Sequence, residues 1–100
     1  MQTYAMLRRG GWRTGEELEQ AAARSRQVAD VEMPEDIRWI RSYMRTEKDG
    51  LLGIYEASSP EKIREHASKA DLPATEILPI ADTVIVRPDP PPSIAAAATK

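Results

Sequence analysis

The chain holds one histidine, His66, within the stretch KIREHASKADLP that runs from Lys62 to Pro73. Imidazole titrates near neutral pH and is a common nitrogen ligand for metals, so His66 suits proton transfer or a divalent cation. It follows Ile63 by three residues. At about 100° per residue, a helix here sets it roughly 60° to one side of an Ile63–Ala67–Ala70 stripe. From that border it either seals a helix–sheet seam with one hydrogen bond or turns a ring nitrogen into a cleft. A second group is aromatic. Trp39 and Tyr43 alternate along one strand, with Tyr55 expected on the next. They are core or interface packing, or the wall of a pocket whose phenols direct hydrogen bonds. Arg41, between the first two, can snorkel to the rim, pair with an acid such as Glu56 or Asp82, or hold an anionic ligand.

The elements that would position these residues follow from spacing. Residues 2–8 alternate as a short strand, with Tyr4, Met6 and Arg8 on one side and Thr3, Ala5 and Leu7 on the other. Gly10-Gly11 ends it. Thr14 then caps a helix over residues 16–30, with Glu17 reaching back in a capping-box pattern. Leu18, Ala22, Ser25 and Ala29 recur at helical spacing, and this mostly small stripe predicts a helix lying close on its support. Pro34 breaks the pattern. IRWIRSYM, residues 37–44, reads as a strand with Ile37, Trp39, Arg41 and Tyr43 on one face. Asp49-Gly50 supplies a hairpin turn, and residues 51–57 return as a strand. Ser59-Pro60 opens the second helix, with proline at its first position. DLPATEILPI reads as an irregular connector, and IADTVIVR, residues 80–87, as the last strand. Residues 1–88 form the expected domain, and 89–100 a flexible Pro/Ala-rich tail.

Strand, helix, strand, strand, helix, strand is the split βαβ order of a ferredoxin-like α+β domain. It predicts a four-stranded antiparallel sheet with both helices on one face. Bulky apolar residues on the other face of the central strands need a cover, which a second copy packing sheet to sheet provides. The protein is therefore expected to be a homodimer, a dimeric α/β barrel-like assembly.

Bulk composition removes several functions. With 14 basic and 16 acidic side chains, a net charge of −2 and no phenylalanine, the chain lacks the footprint of an RNA binder or of a protein held on an anionic membrane. Cysteine is absent, which excludes disulfides, thiolate metal sites and cysteine nucleophiles. Glycine-rich phosphate loops, Ser–His–Asp order and HExxH spacing are missing too. The N-terminus lacks the apolar run of a signal peptide, so a cytoplasmic protein is expected.

IRWIRSYMRTEKDGLLGIYEA and IREHASKADLPATEI, with the later DTVIVRPD, resemble a family of small bacterial ferredoxin-like proteins, catalogued as a domain of unknown function, that includes a nickel-binding member. The likeness covers about residues 29–88. It departs where SKADLP stands in place of a glycine-containing turn. The resemblance implies a sheet-mediated dimer and a divalent-metal or small-ligand site, and it singles out Trp39, Ser42, Tyr43, Tyr55, Glu65, His66 and Pro73. Two functions follow as expectations. One is a ligand-binding protein with Trp39, Tyr43, Tyr55 and His66 on the ligand, or with Ni2+ on His66 and Glu65. The other is a small cofactor-independent isomerase or monooxygenase-like enzyme with His66 as acid/base. A plain interaction module, whose dimer is its function, is the third possibility.

Overall fold

The computed structural model describes residues 1–47 and 49–91. The elements are β1 (Gln2–Arg9), α1 (Gly15–Gln27), β2 (Ile37–Met44), β3 (Gly50–Ala57), α2 (Pro60–Lys69) and β4 (Glu76–Ile80). The sheet order is β2-β3-β1-β4 with every neighbour antiparallel. This is the ferredoxin-like α+β architecture, read correctly from element order.

The helix starts behave as their residues dictate. Thr14 Oγ1 accepts from the Glu17 amide at 3.1 Å, and Glu17 Oε1 accepts from the Arg13 amide at 2.7 Å. The Glu17 carboxylate thus reaches one residue beyond the usual capping-box amide. Pro60 opens α2, although the Ser59 hydroxyl makes no capping bond. α1 ends at Gln27 and widens into a π-helical turn, Val28–Glu32, ahead of Pro34.

The core lies between the helices and one sheet face. Tyr4, Met6, Ile37, Tyr55 and Ala57 meet Val28 and Ala29 from the π-helical turn after α1, Ile63 and Ala67 from α2, and Ala70 at its C-terminal cap, all buried. The opposite face carries Ala5, Leu7, Leu52, Ile54 and Leu78, which pair across the strands as Ala5↔Ile54, Leu7↔Leu52 and Ala5↔Leu78. Leu78 is 46% exposed.

Three expectations are corrected. First, the last strand is residues 76–80, inside the expected connector, and not 80–87. The Asp71 φ of 59° turns the chain early, and the Thr75 amide already bonds the Leu7 carbonyl at 2.8 Å. Pro79 is tolerated because β4 is an edge strand. Val84, Ile85 and Val86 consequently lie outside the sheet, at least 75% exposed. Second, β2 pairs Trp39 with Tyr55 but Arg41 with Ile54, a bulge that adds one residue to β2. Ile37 and Trp39 face the helices, whereas Arg41 and Tyr43 face the other way and Ser42 joins Trp39. Third, the first half of α1 does not lie close on the sheet. The large side chains Trp12, Trp39, Tyr55 and Arg8 stand between them and leave a cavity under Leu18, Ala21, Ala22 and Ser25.

The expected tail falls partly within the described residues. Asp89 meets the sheet edge, its carboxylate taking Arg41 Nε at 3.0 Å and the Tyr43 hydroxyl at 3.1 Å. Residues 92–100 lie outside the described set.

Candidate functional site

The cavity has a volume of about 430 Å³. Sheet side chains form its floor, α1 its roof, and Asp89, Pro90 and Pro91 approach it from the C-terminal segment. Its wall is largely apolar and aromatic, interrupted by the polar side chains of Arg8, Ser25, Ser42 and Tyr55 and, at its mouth, by those of Arg41, Tyr43 and Asp89.

Tyr55 is the hinge of the arrangement. It is 1% exposed, and its ring lies over Gly53, where a Cβ would sit 2.6 Å from Tyr55 Cε1. A side chain at 53 would push the ring away, so glycine lets the phenol lie down along the sheet toward Arg8. Trp39 stacks on Tyr55 with centroids 6.4 Å apart and planes 15° apart. The Trp39 indole N–H donates to Ser42 Oγ at 2.9 Å, a contact that exists only because the bulge brings residue 42 to the face of residue 39.

His66 closes the other flank of Tyr55, edge to face at 5.5 Å and 63°. It is fully buried, deeper than its border phase on the helix predicts. Nε2 lies 2.9 Å from the Ser25 carbonyl, which only accepts, so Nε2 carries the hydrogen and Nδ1 keeps a lone pair. Nδ1 is buried without a partner. Burial pushes the His66 pKa down; the hydrogen bond to Ser25 opposes this, and the Arg8 charge adds to it. The imidazole is thus a neutral brace between α2, α1 and Tyr55. Tyr55 and Ser25 line the cavity and both touch His66, but His66 is not part of the lining.

Arg8 is a site residue that no motif in the sequence singles out. Strand alternation placed it beside Tyr4 and Met6 on the buried face, and a cation in that row is the signal. It is 2% exposed, and its Nε and Nη2 are buried without hydrogen-bond partners. Burial lowers its pKa while Tyr55 supports the charge; the same burial raises the Tyr55 pKa against the pull of Arg8. A guanidinium nonetheless stays charged.

The remaining candidates separate. Tyr43 lines the mouth of the cavity, 43% exposed, with its hydroxyl on Asp89. Glu65 lies one residue, about 100°, round the helix from His66 and is exposed, 3.3 Å from Lys62 Nζ. Among the described residues, no three His, Cys, Asp or Glu side chains gather as a metal-holding group. The described side-chain donors therefore do not by themselves fit a resident metal ion. Pro73 approaches Gly11, where a Cβ would lie 3.1 Å from its ring.

Residues 4–80 match the model of a family described as SCO4226-like, nickel responsive protein SCO4226-like. Among solved structures, the crystal structure of SCO4226 from Streptomyces coelicolor A3(2) is similar with a TM-score of 0.66 and 19% identity. The match covers 82% of this chain and 99% of that one. It supports the ferredoxin-like fold. No curated protein matches.

The neutral His66 generates a pH dependence. Below its ordinary pKa of about 6.5, the unfolded chain takes up a proton that the folded imidazole refuses. Stability therefore falls as pH drops through about 6.5 and keeps falling until the lowered folded value is passed. The His66 share of the slope approaches roughly 1.4 kcal/mol per pH unit. Urea unfolding at several pH values between about 5 and 7.5, compared for the parent and His66→Gln, isolates it: the variant loses that part of the slope.

Proposed function

The chain belongs to the SCO4226-like family of nickel responsive proteins, and from that membership and its aromatic cavity we propose a dimeric binding protein for a small organic ligand. The observation that carries this reading is the cavity itself. Its volume of about 430 Å³ falls within the range of small-molecule sites, and its wall is mainly apolar with a few fixed polar groups. Trp39 and Tyr55 bind along its floor, Tyr43 stands at its mouth, and His66 holds Tyr55 from behind. Acid/base catalysis by His66 is less well supported, because a general base needs reach to its substrate and His66 lies behind the wall. Nickel, present in the family description, would need ligands beyond those that one chain brings together. His66 Nδ1 is the buried nitrogen with a free lone pair, and Glu65 faces water.

The dimer reading draws on the apolar open face of the sheet. Leu52 and Ile54 sit at its centre, with Leu7 and Leu78 beside them on β1 and β4. Packing this face on a second copy would remove it from water.

Each part of the reading has its own measurement. Benzyl alcohol titrated into labelled protein should shift the indole N–H signals of Trp12 and Trp39, the two tryptophans of the chain, saturably. Ala22→Phe, which fills the space under α1, should weaken that binding about tenfold or more while preserving the fold. Shifts that survive Ala22→Phe unchanged would place the probe elsewhere. Sedimentation should find a dimer that Leu52→Glu converts to folded monomer; a parent monomer would remove the dimer from the proposal. Calorimetry of nickel into tag-free protein should give the same isotherm for the parent and Glu65→Gln, and a loss of binding on that change would put the carboxylate at a metal.

A further inference from the structure

We propose that the cavity takes a small organic carboxylate with a flat apolar body, its carboxylate seated on the Nε–Nη2 edge of Arg8. This rests on reading the cavity as a ligand site and names the chemical class of the ligand. The two unpartnered nitrogens of Arg8 carry N–H groups along one edge of the guanidinium. That edge presents two parallel donors at the spacing of the two carboxylate oxygens, and such pairing is stronger and more directional than a single hydrogen bond.

Charge balance points the same way. A buried cation is costly unless an anion or hydrogen bonds compensate it. Among the described residues, Asp89 is the one acid lining the cavity, and Arg41 and Tyr43 already hold it at the mouth. Around Arg8, burial keeps the Tyr55 phenol protonated and the His66 imidazole neutral. The site therefore presents one uncompensated positive charge, which matches a monoanion better than a phosphate dianion. Ser25 adds a buried hydroxyl without a partner on the cavity wall. Trp39 and Tyr55, stacked on each other, give the cavity an aromatic wall against which a flat body can lie. Both Arg8 nitrogens are closed off from water by neighbouring side chains, so seating a carboxylate takes a small side-chain movement in the wall.

The experiment uses the full labelled chain with the Trp12 and Trp39 indole signals as reporters, and benzoate, benzyl alcohol and phenyl phosphate as probes. Benzoate should bind about tenfold or more tightly than benzyl alcohol, and more tightly than phenyl phosphate. Arg8→Met keeps the length of the side chain and removes the charge, so the urea midpoint should stay level or rise. It should bring benzoate and benzyl alcohol to within about twofold of each other. Arg8→Lys retains a charge but not the fork and should cut the preference to about threefold or less; it decides the matter if Arg8→Met does not fold. Equal parent affinities for benzoate and benzyl alcohol would overturn the carboxylate and leave the cavity reading intact. So would a benzoate preference that outlasts both substitutions, or a preference for phenyl phosphate. If none of the three probes moves either indole signal, the cavity reading and this inference fall together.

Discussion

A guanidinium inside a small core with no carboxylate to meet it is the constraint on which the rest of this structure turns. Arg8 stands on the middle strand pair, on the face that the helices cover, 2% exposed. Tyr55 and His66 both feel it. Tyr55 cannot ionise readily because it is buried, and its electron-rich oxygen supports the cation. His66 cannot charge readily either, because burial and a neighbouring cation both oppose a second positive charge. Among the described residues, the interior therefore has a single charge in a fixed place, bordered by a phenol and an imidazole that burial keeps neutral.

The two helices treat that charge differently, and their side-chain sizes explain why. α2 brings Ile63, His66 and Ala67 onto the sheet, and the imidazole fills the flank of Tyr55 with an edge-to-face contact. α1 brings Ala21, Ala22 and Ser25, which are too short to fill the space above Trp39 and Tyr55. Small side chains allow close approach only when the opposing surface is small as well. Here they face an arginine and three large rings, so the same alanines leave a void. The His66 bond to the Ser25 carbonyl links the two helices at the edge of that void. It fixes the roof without closing it.

Much of the fold was legible in residue order. The capping residue of α1, the proline at the start of α2 and the apolar runs of β1 to β3 each act locally, and local preferences survive folding. The expected Asp49-Gly50 turn does not form as a positive-φ pair: Gly50 is instead the first residue of β3 and pairs with Arg9. The errors arose where pairing, not propensity, decides. TVIV has the composition of a strand, yet EILPI takes the edge position because the turn at Asp71 delivers it to β1 first. A strand's face is likewise set by its partner. One extra residue near Ile40 turns Arg41 and Tyr43 away from Trp39, and nothing in IRWIRSYM marks where the register slips. The candidate site was legible in part: Trp39, Tyr43 and Tyr55 all line the cavity, whereas His66 braces it and Glu65 faces water.

Arg8 shows why a charged residue on a strand is easy to pass over. Alternation put it on the Tyr4–Met6 face, but an arginine one residue from a strand end normally snorkels to water, and its long stem makes that escape cheap. Here the escape is blocked by residues distant in sequence. Gly53 lets Tyr55 lie down toward Arg8, and His66 keeps Tyr55 there from α2. Trp12, just after β1, and Leu72, just after α2, complete the cavity wall around it. Each of these contributions is unremarkable when read alone. Only their meeting converts a surface-type side chain into an enclosed cation, and that enclosure, more than any motif, gives this cavity its chemical preference.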